Sequence, residues 1–150
     1  MQDLPLNRPV PLGLAPESWV LLEGSIRPDS KWFCLDFAYG HFREANIPLR
    51  LQLSFEGPSS PAMITLNAFI DRQWGKEIRV PTHIRPGEKF KMQLIVTWKG
   101  YKIMENDTFL CDFEHRLPVN KIVFLKMIGD IKLENLKSSW ENGNTRRRLR

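Results

Sequence analysis

Apolar and polar residues alternate with a period of two along most of this chain, and helical periodicity is scarce. That period sends successive side chains to opposite faces of a strand. The cleanest case is residues 47–55. There Ile47, Leu49, Leu51, Leu53 and Phe55 point one way, and Pro48, Arg50, Gln52 and Ser54 the other. Residues 32–37 line up Phe33, Leu35 and Phe37, and residues 63–69 oppose Ile64 and Leu66 to Thr65 and Asn67. On the next strand Ile78 and Val80 point inward, against Glu77 and Arg79. Further strands are predicted at 19–23, 90–98, 101–105, 109–113, 121–128 and 131–136.

Turn signals separate these segments: Gly24, Pro28-Asp29-Ser30, Gly57-Pro58-Ser59-Ser60-Pro61, Arg85-Pro86-Gly87-Glu88, Lys99-Gly100, Asn106-Asp107 and Gly129-Asp130. About ten or eleven short strands at this spacing predict an all-β fold, a large antiparallel sandwich of two sheets with one solvated face. No internal repeat breaks the chain into units, and 150 residues suit one domain with a full core.

Composition narrows the classes. No apolar run approaches the ~20 residues that span a bilayer, and the N-terminus has no apolar h-region, so neither a transmembrane segment nor a signal peptide is expected. Cys34 and Cys111 lack metal or redox spacing and are expected as free thiols in a reducing compartment. Asn106-Asp107-Thr108 matches a glycosylation acceptor that stays unmodified outside the secretory route. The formal charge is +5, much of it in Arg146-Arg147-Arg148-Leu149-Arg150. A terminal cluster after the polar 141–144 stretch reads as a tail or linker, without the folded basic face and interleaved aromatics that nucleic acid requires.

The candidate chemistry lies on three neighbouring strands. Arg50, Gln52 and Ser54, then Thr65 and Asn67, then Glu77 and Arg79 all point outward, and Trp74 sits in the turn before the third strand. A flat indole covers the apolar C–H face of a pyranose, while amide, carboxylate and guanidinium groups exchange hydrogen bonds with its hydroxyls. The competing reading is an ordinary solvated sheet face with a cross-strand Glu–Arg pair. Catalysis finds little support. Glu77 has no acidic partner on its face for glycoside cleavage. Asp112 and Glu114 read as a solvated strand end. His41, His83 and His115 are scattered without metal spacing, and no nucleophile elbow or phosphate loop occurs. A non-enzymatic chain with no cofactor and no metal is expected.

With these residues in view, the chain resembles the galectins from about Pro9 to Leu136. Trp74-Gly75-x-Glu77-x-Arg79 is similar to the family's W-G-x-E-x-R, and Asn67 to the asparagine of its V-x-N. Phe113-Glu114-His115-Arg116 resembles F-x-H-R, Gly129-Asp130-Ile131 resembles G-D-[IV], and Pro86-Gly87-x-x-Phe90 also fits. The resemblance implies a jelly-roll-like, concanavalin-like sandwich that binds β-galactosides without calcium. It assigns ring stacking to Trp74, the 6-hydroxyl to Asn67 and Glu77, and the next sugar to Glu77 and Arg79.

The family's H-x-N-x-R strand aligns with Arg50-Leu51-Gln52-Leu53-Ser54, and all three polar positions differ. In the family those positions read the axial 4-hydroxyl of galactose. His41-Phe42-Arg43-Glu44 mimics the start of that motif but precedes the strand. A lectin with altered specificity or weakened affinity is therefore expected, with Arg50, Gln52 and Ser54 as less certain contacts. A protein-interaction module with a vestigial sugar groove is the alternative. The expected domains are a leader at 1–8, a carbohydrate-recognition domain at 9–137 and a basic tail or linker at 138–150. Glycans or glycoproteins are the expected partners; a homodimer or a second tandem domain stays open. The expected location is cytoplasmic, with export not needing a signal peptide.

Overall fold

The alternating segments pair into two antiparallel sheets. The structure, a computed structural model, describes residues 4–55 and 62–141. The turn expected at 57–61 and the arginine-rich end of the chain lie outside the described residues.

The strands are β1 (Leu6–Pro9), β2 (Trp19–Ile26), β3 (Trp32–Ala38), β4 (Ile47–Ser54), β5 (Met63–Ile70), β6 (Gln73–Trp74), β7 (Ile78–Pro81), β8 (Lys89–Val96), β9 (Gly100–Glu105), β10 (Thr108–Glu114), β11 (Phe124–Gly129) and β12 (Ile131–Ser138). One sheet has the order β1-β11-β3-β4-β5-β6, with β7 also paired to β5. The other has the order β10-β9-β8-β2-β12. The inward rows fill the space between them: Phe33, Leu35, Leu51, Leu53, Ile64 and Leu66 from the first sheet, Leu22, Leu94, Ile103 and Leu133 from the second, all essentially inaccessible. Each such side chain stabilises the fold by ~1.5–3 kcal/mol relative to exposure.

Several expectations shift by a few residues, each for a tertiary reason. β2 runs through Gly24 to Ile26, because β8 on one side and β12 on the other extend its ladder. A bulge between Ile47 and Arg50 puts Ile47 opposite Phe69, off the inward row that Leu49, Leu51 and Leu53 keep. The strand expected at 121–128 begins at Phe124, after a 3-10 turn at Val119–Lys121. Strand β8 stops at Val96, which leaves Trp98 in the hairpin tip. β1 lies almost wholly in the stretch expected as a leader. It pairs with β11, and Arg8 bonds Glu141 at 3.0 Å. Its Leu-Asn-Arg-Pro sequence is too short and too proline-bounded to display alternation. Asn106 and Asp107 make the two-residue hairpin between β9 and β10, both at positive φ (49° and 67°), which suits a type I′ turn.

The two cysteines are unpaired and sit in different sheets, Cys34 on β3 and Cys111 on β10. Burial, and then the Asp36 carboxylate, push the Cys34 thiol up to about 12. Burial, and then Asp112, push Cys111 up to about 11. The ordinary value is 9.0. Thiolate is the reactive form, so alkylation at pH 8 is expected to run at least ~100-fold slower in the native protein than in urea, with Cys34 the slower site. Because the folded state holds these protons to higher pH, the thiols' contribution to stability is constant below pH ~9 and falls as pH rises beyond it. Rapid native labelling of Cys34, mapped by peptide mass, would contradict this environment.

Candidate carbohydrate-binding face

Strand register decides which outward side chains meet. Asp36 on β3 opposes Arg50 on β4, which opposes Asn67 on β5. The next row is Cys34, Gln52, Thr65 and Arg79, and the third is Trp32, Ser54 and Met63. Directly opposed residues share a face. The sets expected from alternation therefore occupy one outer surface.

Trp74 is not in an open turn. It forms the short strand β6, paired opposite Phe69, because Asp71 and Arg72 take positive φ (51° and 69°) and close a tight hairpin after β5. The indole leans on the Phe69 ring at 5.0 Å between centroids and remains 44% exposed. Glu77 falls just before β7, yet its Oε1 lies 3.4 Å from Nη1 of Arg79, as a spacing of two requires. Both side chains are about half exposed, so this pair adds little stability and stays available to a ligand.

Asn67 is a clamp as well as a candidate contact. Its Nδ2 donates to the Gly75 carbonyl at 2.9 Å, and its Oδ1 accepts from Nη1 of Arg116 at 3.0 Å. Arg116 also donates through Nη2 to the Lys76 carbonyl at 2.8 Å and stacks on Phe113, 4.6 Å from the ring centroid. Arg116 thereby joins the end of β10 in one sheet to the Trp74–Glu77 segment on the other. Gly75 makes room for it: a Cβ there would stand 3.0 Å from Nη1 of Arg116 and 3.4 Å from Oδ1 of Asn67. His115, expected as a turn histidine, has Nε2 2.8 Å from the Thr97 carbonyl.

Arg50 makes the decisive contact. Its Nε and Nη2 donate to Oδ1 and Oδ2 of Asp36 at 2.7 and 2.8 Å, a bidentate pair with the carboxylate nearly buried. These bonds to Asp36 hold the Arg50 guanidinium above its ordinary value. The same group lies over the Trp74 ring, Cζ 4.6 Å from the centroid. Gln52 Nε2 reaches only Ser54 Oγ, at 3.5 Å. Ser54 stands between Trp32 and Met63, so this corner of the face is apolar. His41 lies elsewhere, 3.8 Å between ring centroids from Phe124 and bonded to Asn7.

Asp36, Arg116 and Trp32 belong to this surface although sequence reasoning did not place them there. Asp36 and Trp32 had a signal, since they occupy the outward positions of a strand whose inward row is Phe33, Leu35 and Phe37. Arg116 had none beyond the motif that contains it, because no periodicity shows that a loop arginine crosses to the other sheet.

Two antiparallel sheets, one carrying a polar outer face with an indole at its edge, define a lectin-type sandwich. The family model of the galactoside-binding lectins matches residues 5–138, and the chain belongs to that family. It is 28% identical over 134 residues to galectin-4 of Rattus norvegicus, covering 89% of this chain and 40% of that protein. It is also 28% identical over 132 residues to galectin-3 of Oryctolagus cuniculus, covering 87% and 52% respectively. The chain thus spans about half, or less, of these relatives' length. Sheep galectin-11, solved in complex with glycerol, matches at a TM-score of 0.82 and 26% identity, over 92% of this chain and 99% of that one. The family comprises carbohydrate-binding lectins, not enzymes. Among the described residues no helix is long and apolar enough to cross a membrane, and no cluster of three or more metal-binding side chains occurs.

Proposed function

We propose that this chain binds β-galactoside-type glycans on the outer face of β3–β7, with specificity altered and affinity for simple galactosides weakened by Arg50. The observation that carries this reading is the Arg50 guanidinium lying between Asp36 and the Trp74 ring. A pyranose stacking on the indole displaces that guanidinium and loses a cation–π contact worth ~1–2 kcal/mol. The 4-hydroxyl also loses two or three hydrogen bonds of ~1 kcal/mol each, because Asp36 holds the Arg50 guanidinium, the Gln52 amide is turned to Ser54, and Ser54 lacks the reach of the family's arginine. Asn67, Trp74, Glu77 and Arg79 remain the stacking and second-sugar contacts. Lactose affinity near or weaker than ~10 mM follows.

The same contact also favours the second reading, a protein-interaction module whose sugar groove has closed on itself. Titrating lactose and galactose, followed by a broad glycan panel, separates the two. Selective binding of some glycan, lost in Trp74→Ala, supports the lectin reading. No binding across the panel favours the module. Submillimolar lactose binding would sink the altered site itself. In keeping with the family, we expect the protein in the cytosol and, where exported, without a signal peptide.

A further inference from the structure

Three charged side chains stand in one row across the first sheet. Lys126 on β11 opposes Asp36 on β3, and Asp36 opposes Arg50 on β4. Opposed residues share a face with Cβ atoms ~5 Å apart, so the carboxylate has a cation on each flank within side-chain reach. It uses one of them. Both of its oxygens accept from the Arg50 fork, at 2.7 and 2.8 Å. Among the described residues Lys126 makes no hydrogen bond or ion pair, although it is only partly exposed.

Lys126 also has room to move. With Asn7, Cys34, Asp36 and Ile128 it lines a cavity of about 390 Å³ over β1, β11 and β3. The carboxylate thus borders open space on the side away from Arg50. Cys34 Sγ donates to its Oδ1 at 3.6 Å but brings no positive charge.

The present pairing follows from shape. A guanidinium offers two parallel donors to a carboxylate, whereas an ammonium is a point charge on a flexible stem. Arg50 therefore holds Asp36 while it is free to lie between that carboxylate and Trp74. A stacked sugar changes this. The fork that grips Asp36 and the Cζ that lies 4.6 Å from the Trp74 centroid belong to one rigid plane. A sugar that takes the indole therefore draws the guanidinium away from Asp36 as well. Asp36 is 7% exposed, and a carboxylate at that depth without a cation is strongly destabilising.

We propose that Lys126 is a positioning residue of the sugar site: when a glycan displaces Arg50 from Trp74, Lys126 swings through the cavity and takes over Asp36. The inference rests on the lectin reading above, in which the ligand stacks on Trp74. The exchange keeps the buried carboxylate paired in both states. Lys126 thereby lowers the cost of opening the cap without touching the sugar.

Thermal melts of single and combined variants test the pairing with no sugar present. Lys126→Met alone should lower the melting temperature by no more than ~2 °C, because Arg50 holds both oxygens. In an Arg50→Met background the same substitution should lower it by ~5–15 °C, because Asp36 then has no cation. Lys126→Arg in that background should restore the melt, and adding Asp36→Asn should abolish the difference. If the combined Arg50→Met and Lys126→Met variant does not fold, recovery of the fold by Asp36→Asn supports the proposal and its failure overturns it. Lactose titration followed by NMR tests the positioning role. Lys126→Met should weaken binding at least ~5-fold and Lys126→Arg should keep it, while in an Asp36→Asn background Lys126→Met should change nothing. Equal melting losses from Lys126→Met in both backgrounds overturn the proposal, as does lactose binding that ignores Lys126→Met. A wild type that binds no glycan sinks the lectin reading instead, and the melts still establish or refute the exchange of partners at Asp36.

Discussion

Replacing Arg50→His, Gln52→Asn and Ser54→Arg together is expected to tighten lactose binding by ~150-fold or more over the wild type in calorimetric titration. The gain has two separable sources. Removing the guanidinium uncovers Trp74, which Arg50 caps at 4.6 Å, and that step alone corresponds to ~5- to 30-fold. The remainder comes from hydrogen bonds to the 4-hydroxyl, at ~1 kcal/mol each. Arg50→His alone should thus capture the uncovering without the full gain, which distinguishes a capped platform from a merely incomplete one. The variant carries a cost, because Asp36 is 93% buried (7% exposed) and loses a bidentate partner. Lys126 opposes Asp36 on its other flank and offsets part of it, and adding Asp36→Asn removes the orphaned charge. A correctly folded triple variant with wild-type lactose affinity would show that these three positions do not set the site's preference.

The sandwich was legible because buried faces impose a period of two over long runs. Leu49, Leu51 and Leu53 could only point inward together, and their partners Arg50, Gln52 and Ser54 had to point out. Pairing of successive strands followed from the short turns between them, which is why Arg50, Asn67 and Arg79 were expected on one surface and are found there. What alternation cannot carry is local departure from the pattern. The bulge between Ile47 and Arg50 changes one residue's face without altering the apolar composition. The four residues of β1 gain their strand character from β11 rather than from their own sequence.

The candidate site was legible in its residue types and less so in its contacts. The sequence shows an arginine at position 50, on the strand where the resemblance expects a different polar set. It does not show that the guanidinium turns back onto the indole of the same chain. That choice depends on Asp36, one strand over, fixing the fork from the other side. It also depends on β6 presenting Trp74 opposite Phe69 rather than in an open loop. The self-contact is therefore a property of strand order, in which β3, β4 and β5 bring Asp36, Arg50 and the Trp74 hairpin onto one face.

Glu105→Ala is expected to lower stability by ~2–5 kcal/mol and the melting temperature by roughly 8–15 °C, the largest stability loss anticipated for a single polar side chain here. Glu105 ends β9 and is 5% exposed. Its carboxyl accepts from the Thr82 hydroxyl and from the His83 N–H, at 3.3 and 3.2 Å to its two oxygens. Thr82 Oγ1 in turn accepts from Ile84 N at 3.2 Å, and Thr82 N donates to the Ala62 carbonyl at 3.2 Å. Truncation leaves the O–H of a buried Thr82 and the partly buried His83 N–H without acceptors and opens space beneath them, which costs more than the bonds themselves contribute. Glu105→Gln keeps the shape and one acceptor, so its loss should be intermediate. The consequence reaches the sugar face, because Thr82 directly follows β7, the strand that carries Arg79. Loosening that end should therefore raise amide exchange along residues 78–84 before the global transition, as hydrogen-exchange mass spectrometry would register. A melting point within about 2 °C of wild type for Glu105→Ala would show that the carboxyl is not what holds this crossing between the sheets.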